Sequence, residues 1–583
     1  MKISAVDPIT AEILGNAFLS ITEQMGASLI RSAYSTNIKE RRDCSCALFS
    51  ADGSLIALAE HIPIHLGSMQ GLVTQISQDQ STWNLKNGDI LIANDPYLGG
   101  GSHLPDMTLI KPFFYRGRLS AFLANIAHWA DIGGRSPGAG TAGGSTEIYQ
   151  EGLRIPSVKL YKNNSIQKDL LTFLLSNMRC PEERMGDLRA QVASLQLGER
   201  QLTELFERYN QTTLNASVQE NLDYSERLLR NALKSIPEGI YCFQDWMDDD
   251  GIHSKPLVIK VKISVSHGNK PKIEFDFLGT AQQTEGGINM VWAALLATVS
   301  YALKAVVGPN IPLNSGFQRP IRILAPLGCL VNAQEPAAVG GRTDTCQRVV
   351  DTIFGALAQA VPKKITAASN GATTALIFGG TKSLTGQDFV YVEALGGGMG
   401  ASSKKDGMDG IQVHITNTSN LPVESMELEY PLRVLRYGLV PDSGGPGRRR
   451  GGLAIRKEIM ALKPMRFSAH SDRHKIPPWG FQGGYPGSKG HFLLERHNRT
   501  KKYLRSKVVD IVIHKNDILK IQTAGGGGYG PPEKREPEKV VNDLHRGRIS
   551  CNRAKKIYKV IWKKNGLPDP ETLTSLRSSP SKE

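Results

Sequence analysis

The densest run of side chains able to bind an ion or move a proton lies between residues 94 and 131. Asn94-Asp95-Pro96 leads through Gly99-Gly100-Gly101-Ser102 into His103-Leu104-Pro105-Asp106, and the same chemistry resumes at His128-Trp129-Ala130-Asp131. Divalent cations of the borderline and hard classes take imidazole nitrogen and carboxylate oxygen together. His103 and Asp106 stand three residues apart across a proline turn that can aim both inward, and the preceding glycines let the backbone bend close to an ion. His128 falls at the end of an expected strand, where a scaffold commonly presents site residues. The spacing matches no common zinc motif, so it indicates a divalent metal without naming it. A second polar cluster precedes the first. Lys39-Glu40-Arg41-Arg42-Asp43 leads into a strand, and His61 and His65 flank Pro63 on a segment expected to be extended, which would face both to one side.

Other polar runs carry less. Gly340-Gly341-Arg342-Thr343-Asp344-Thr345 precedes an expected helix and offers backbone N–H groups to an anion. There is no Walker-type glycine spacing followed by Lys-Ser or Lys-Thr, and no GxGxxG after a strand, so nucleotide binding by this chain is unsupported. Asp248-Asp249-Asp250-Gly251 lacks the glutamate that completes a calcium loop and reads as a turn. The run Gly525 to Gly530 encloses Tyr529 and reads as a tight packed turn.

The elements that must position these residues follow from hydrophobic period. Asp7-Pro8 opens a helix whose apolar face runs through Ile13, Leu14, Phe18, Ile21 and Met25. Cys46–Phe49 and Leu55–Leu58 form a hairpin about Asp52-Gly53. Ile90–Ala93, Met107–Phe114 and Leu119–Ala127 are strands. Helix is expected mostly over 170–210, then over 220–233, 290–306 and 348–359. Strands are expected at 258–265, 272–277 and 388–394, and the chain is strand-rich from 431 to about 523. The fold class is α+β, a large single-chain subunit of several mixed sheets joined by Gly-rich loops. The expected organisation is an N-terminal α+β domain over 1–215 holding the candidate metal site, a central α/β domain over 216–430, a strand-rich domain over 431–532, and a basic tail over 533–583, partly helical and then disordered.

Composition narrows the class further. The 583 residues are 40% hydrophobic and 21% charged, ordinary for a folded chain, and the 59 glycines show no collagen period. The net charge of +15 is concentrated toward the tail, and no nucleic-acid recognition signature accompanies it. Seven cysteines without a CxxC pair suggest neither a disulfide framework nor a zinc ribbon. Val291–Val307 is the longest apolar stretch and is interrupted by Lys304, so a buried helix is expected there instead of a membrane span. The N-terminus has no signal-peptide core, and a cytoplasmic protein binding neither nucleic acid nor membrane is expected.

Taken together, these motifs resemble the hydantoinase B/oxoprolinase family over about residues 7–563. The resemblance rests on Asp7-Pro8, Lys39–Ser45, Ala59–Met69, Asn94-Asp95-Pro96, His103–Asp106, His128–Asp131, Met178-Arg179, Gly186–Gln191, Asp442–Gly447 and Gly525–Gly530. That family includes B subunits of ATP-dependent N-methylhydantoinases, one half of 5-oxoprolinase, and large subunits of acetone and acetophenone carboxylases. The resemblance implies a hydantoinase A-type ATPase partner that uses the ATP, a hetero-oligomer, and a cyclic amide such as a hydantoin or 5-oxoproline as substrate. It implies a divalent metal (Mn, Zn or Fe) on His103, Asp106 and His128, with Glu40 a further ligand and Asp43 and Asp131 less favoured. Catalytic roles then fall to His61, His65 and Asp131, with His61 shuttling protons near neutral pH. A subunit of an ATP-dependent ketone carboxylase and a non-catalytic partner that stabilises the ATPase are the alternatives.

Overall fold

The computed structural model describes residues 6–59, 61–141, 144–382 and 386–561. The first helix, α1 (Pro8–Ser32), starts as expected: Asp7 accepts the Thr10 backbone N–H at 2.9 Å, and Pro8 fills the first turn, where no N–H is needed. Then come α2 (Thr36–Lys39), β1 (Cys44–Ser50), β2 (Leu55–Ala59), α3 (His65–Gln78), α4 (Gln80–Trp83), β3 (Ile90–Ala93), β4 (Asp106–Tyr115), β5 (Arg118–His128), β6 (Val158–Lys162) and β7 (Ser165–Ile166). Their strands make one sheet in the order β2-β1-β5-β4-β3-β6-β7. The helical region expected over 170–210 is two helices, α5 (Lys168–Ser176) and α6 (Pro181–Arg208), because Pro181 cannot continue α5 but suits the first turn of a new helix. α7 (Gln211–Leu233) follows, and α1 packs on α6, α7, β1 and β2.

A second sheet, ordered β11-β10-β9-β8, comprises β8 (Gly239–Met247), β9 (Leu257–Ser266), β10 (Lys272–Asp276) and, after the buried α8 (Trp292–Val307) and short α9 (Ser315–Gln318), β11 (Ile321–Leu324). The next helix, α10 (Arg342–Leu357), begins six residues before its expected start and is buried along its whole length against α8, β8 and β9. The same apolar core joins α1, the first sheet, α8 and α10.

The strand-rich region contains β12 (Ala375–Thr381), β13 (Asp388–Ala394), α11 (Val423–Glu429), β14 (Leu432–Leu439), β15 (Ile455–Ala461), β16 (Met465–His470), β17 (His491–Glu495), β18 (Lys501–Leu504), β19 (Lys507–Ile513) and β20 (Ile518–Gln522). These form two sheets, β13-β12-β16-β19 and β14-β15-β20-β17-β18, which share an apolar core that includes Phe378, Phe467, Ile459 and Phe492. After them, α12 (Pro537–His545) and α13 (Cys551–Lys556) close a small core of Val540, Ile549, Ala554 and Tyr558. The helix expected over 553–564 is thus shorter. The polar end expected to be disordered lies outside the described residues. Among the described residues no helix is long and apolar enough to cross a membrane. The architecture is α+β, as the sequence predicts.

The glycine runs are structural. Gly452 donates its N–H to Met399 at 2.8 Å, Gly526 to Gly452 at 2.9 Å, and Gly445 to Gly526 at 2.8 Å. A Cβ on Gly526 would lie 2.1 Å from the Met399 carbonyl oxygen, and one on Gly398 2.0 Å from that of Gly452. Three glycine-rich segments far apart in sequence therefore meet backbone to backbone, where no side chain fits. The tight packed turn expected at 525–530 is part of this junction.

Candidate functional site

The long β4–β5 ladder supplies the site's base. It sets Asp106, the first residue of β4, directly opposite His128, the last of β5. His103 precedes β4 in the proline turn, and its ring centroid lies 4.9 Å from that of His128. His65 arrives as the first residue of α3, Asp43 from just before β1, and Arg342 as the first residue of α10. Together they line a cavity of about 50 Å³, room for a few waters. A larger cleft of about 480 Å³ opens beside Phe18, Arg118, Phe206 and Arg319 but has no histidine or cysteine among its lining residues.

One carboxylate organises the cavity. Asp106 Oδ2 accepts from the Ser102 hydroxyl at 2.7 Å and the Ser102 N–H at 3.1 Å, and Arg342 Nη2 stands 3.3 Å away. Arg342 also donates to the Ser102 hydroxyl, at 2.7 Å and 3.0 Å. The other oxygen, Oδ1, has no hydrogen-bond partner although it is fully buried. It lies 3.2 Å from His103 Nε2 and 3.7 Å from His65 Nε2. Burial raises the Asp106 carboxyl, but His103 and the Arg342 guanidinium outweigh it and hold it well below the usual range. Burial in turn pushes the imidazoles of His65, His103 and His128 below their ordinary value, so all three are neutral at neutral pH.

The proton positions follow from the partners. His103 Nδ1 lies 2.7 Å from the Gly140 carbonyl, which can only accept, so Nδ1 carries the proton and Nε2 is a bare lone pair. That lone pair faces a carboxylate oxygen with no proton between them, and His103 Nε2 too is buried without a partner. A cation between two such acceptors removes the conflict, so His103 and Asp106 fit a divalent metal. His65 adjoins them, its Nδ1 3.0 Å from the Ser45 hydroxyl, which can give or take a proton. His128 is held differently. Asn37 Nδ2 lies 2.7 Å from its Nδ1, while the Asn37 carbonyl faces Arg41, which fixes the amide's orientation. Nδ1 of His128 therefore accepts, and its Nε2 carries the proton toward Thr141 at 3.3 Å. Ligation through His128 Nε2 would require the opposite tautomer. Among the described residues no set of three or more His, Cys, Asp or Glu stands in the arrangement of a formed metal centre.

The other site candidates lie apart from this cavity. Glu40 is exposed at the end of α2 and does not line it. Asp131 is engaged by Arg179 at 2.8 Å and by the N–H groups of Gly133, Gly138 and Arg179, which makes it the anchor of the loop after β5. His61 is not on one extended face with His65, because α3 begins at His65 and turns the chain. Its imidazole packs on Gly26 of α1. The glycine loop before α10 does receive an anion, but from within the chain: Glu151 accepts the N–H groups of Val339 at 3.0 Å and Gly340 at 2.7 Å. Asp248 likewise accepts three N–H groups, from His474, Lys475 and Ile476, and so ties two distant segments together.

Sequence reasoning did not single out Arg342, Thr343 or His470 as lining the site. Arg342 and Thr343 were visible only as neighbours of the glycines, and His470 only as one residue of the polar run Ala469–Arg473.

Comparison with known proteins yields a match to the family model described as Hydantoinase B/oxoprolinase over residues 7–532. An uncharacterized protein of Methanocaldococcus jannaschii is 40% identical, covering 98% of this chain and 100% of its own length. The putative B-type component of a D-/L-hydantoinase from a Pseudomonas species is 34% identical, with 98% of each chain covered. The 5-oxoprolinase 1 of Arabidopsis thaliana is 35% identical over 90% of this chain but only 42% of its own length. Among solved structures, the ATP-dependent caprolactamase of Pseudomonas jessenii superposes with a TM-score of 0.91 at 28% identity, covering 99% of this chain and all of that one. An acetone carboxylase structure superposes with a TM-score of 0.89 over 98% of this chain and 82% of its own, at 18% identity, a likeness of fold alone.

Proposed function

This chain belongs to the hydantoinase B/oxoprolinase family, and from that premise we propose that it is the hydrolytic subunit of an ATP-dependent enzyme that opens cyclic amides. The observation that carries this reading is the facing pair of unpartnered acceptors, His103 Nε2 and Asp106 Oδ1, in a buried cavity. A hydantoinase A-type ATPase acts as partner and uses the ATP, as the name of the Pseudomonas relative suggests, although the 5-oxoprolinase relatives are more than twice this chain's length. A hydantoin, 5-oxoproline or lactam is the substrate class, and the cytoplasm is the location.

On this reading His103 and Asp106 hold a divalent metal, with His65 beside them and His128 contributing if its tautomer inverts. Such a metal lowers the pKa of a bound water and supplies hydroxide near neutral pH. The chain's own residues do the rest. Arg342 and Ser102 fix the Asp106 carboxylate in one orientation. The Gly140 carbonyl keeps the lone pair of His103 on Nε2. The small cavity excludes bulk water.

The test is to purify the chain with an A-type ATPase and assay 5-oxoproline, hydantoin and caprolactam with ATP, and acetone with bicarbonate and ATP. Ring opening that is lost on chelation and in His103→Ala supports the reading. Ketone carboxylation without ring opening would replace it with a carboxylase, and full ring opening by His103→Ala would leave the chain as a scaffold for the ATPase.

A further inference from the structure

Across the cavity from the His103–Asp106 pair stands a second polar group built from other parts of the chain. His470 is the last residue of β16 and is buried. Its Nδ1 lies 2.8 Å from Oδ2 of Asp344, which sits in the first turn of the wholly buried α10. A carboxylate can only accept, so Nδ1 bears the proton and Nε2 carries the lone pair. Among the described residues no hydrogen bond engages that Nε2, and His470 lines the same cavity as His103 and Asp106. Asp344 is itself held: its other oxygen accepts the Thr373 N–H at 2.9 Å. On either side of it, the hydroxyls of Thr343 and Thr373 line the cavity, buried and without partners.

A histidine kept only for packing would have both nitrogens satisfied or its ring against apolar neighbours. Here one nitrogen is fixed by a carboxylate and the other is left bare toward a cavity edged by unpartnered hydroxyls. That is how an orienting carboxylate sets an imidazole for proton transfer.

Resting on the ring-opening reading above, we propose that His470 is the proton-transferring residue of this cavity and that Asp344 is its positioning residue. As water adds to the amide carbon, His470 Nε2 takes the proton that water loses. The C–N bond then breaks, its electron pair stays on nitrogen, and His470 returns that proton to the nitrogen. The carbon keeps the water's oxygen, His470 ends neutral as it began, and Asp344 stays ionised throughout. The Thr343 and Thr373 hydroxyls donate to oxygen on the same carbon.

The experiment uses the purified complex with its ATPase partner and compares His470→Gln, His470→Asn, Asp344→Asn and Asp344→Glu with wild type and with His103→Ala. Metal content, complex formation, kcat and KM are read for each. The expected result is a loss in kcat of about 100-fold or more for both His470 variants, the range of general acid–base catalysis, with KM within about threefold and metal content unchanged. Asp344→Asn should lower kcat at least about tenfold, since an amide can hold the opposite tautomer, and Asp344→Glu should recover part of that loss. Full kcat in His470→Gln beside an inactive His103→Ala would overturn the proposal and leave the ring-opening reading standing. A wild-type complex inert toward every cyclic amide would remove that reading and this proposal with it. Where both His470 variants fail to fold, ¹⁵N-histidine NMR of the wild-type chain decides: a His470 resonance with the proton on Nε2 would overturn the proposal, and one with it on Nδ1 that inverts in Asp344→Asn supports it.

Discussion

Nε2 of His103 lies 3.2 Å from Oδ1 of Asp106, and neither buried atom has any other polar partner. Two acceptors face each other at hydrogen-bond distance with no proton to share. Unless something lies between them, this contact costs stability.

That contact predicts specific metal retention. Chain produced with manganese or zinc is expected to hold close to one equivalent, measured by elemental analysis after gel filtration. His103→Ala and Asp106→Ala should each reduce retention at least about tenfold. Glu40→Ala should leave it unchanged, because that carboxylate is exposed and outside the cavity.

Acid should weaken the fold through His474. Burial, aided by the Lys507 ammonium, lowers this imidazole to about 4, against 6.5 in an unfolded chain. Between those values the unfolded state binds more protons than the folded one, so stability falls as pH drops from 6.5 toward 4. The full difference is about 3 kcal/mol. His474→Gln should flatten this part of the pH–stability curve, read by chemical denaturation at intervals from pH 7 to pH 4. An unchanged slope would show that His474 does not contribute.

The buried pair of Lys457 and Glu393 predicts an asymmetry. Lys457 Nζ stands 2.6 Å and 2.7 Å from the two Glu393 oxygens, with both side chains fully buried. Lys457→Met strands a buried carboxylate and should cost roughly 3–5 kcal/mol. Replacing both together, Lys457→Met with Glu393→Leu, should recover most of that loss in a denaturation series.

The glycine junction should not tolerate one methyl group. Gly526→Ala would set a Cβ 2.1 Å from the Met399 carbonyl oxygen, between backbones that cannot separate without breaking their hydrogen bonds. A loss of about 3 kcal/mol or more is expected. Gly438 is a control of the same type: a Cβ there meets nothing within 4 Å, and Gly438→Ala should change stability by less than about 0.5 kcal/mol. Thermal melts of the two variants side by side provide the comparison.

Where local signals were strong, the elements were legible in the sequence. Asp7-Pro8 marks the start of α1, and β3 and β13 have the bounds that their apolar runs give them. The signal failed where a single residue changed the local rule. Pro181 divides one expected helical region in two. At His65 a helix begins where an extended segment was expected, which parts His61 from His65. The start of α10 was read late because its first residues are polar; burial against α8, β8 and β9 stabilises that turn, and no apolar period announces it.

The sequence by itself determined the family, the α+β class, and the local pairing of His103 and Asp106, because these depend on residue types a few positions apart. Only the tertiary structure decided which groups share the cavity. It draws His65 and Asp43 in beside that pair and brings Arg342, Asp344 and His470 from more than 200 residues away. It also turns Asp131 outward to Arg179 and leaves Glu40 in solvent. The physical reason is that burial sets the role of a charged side chain. A carboxylate in water and one sealed against an unprotonated imidazole read alike in sequence, and only packing tells them apart.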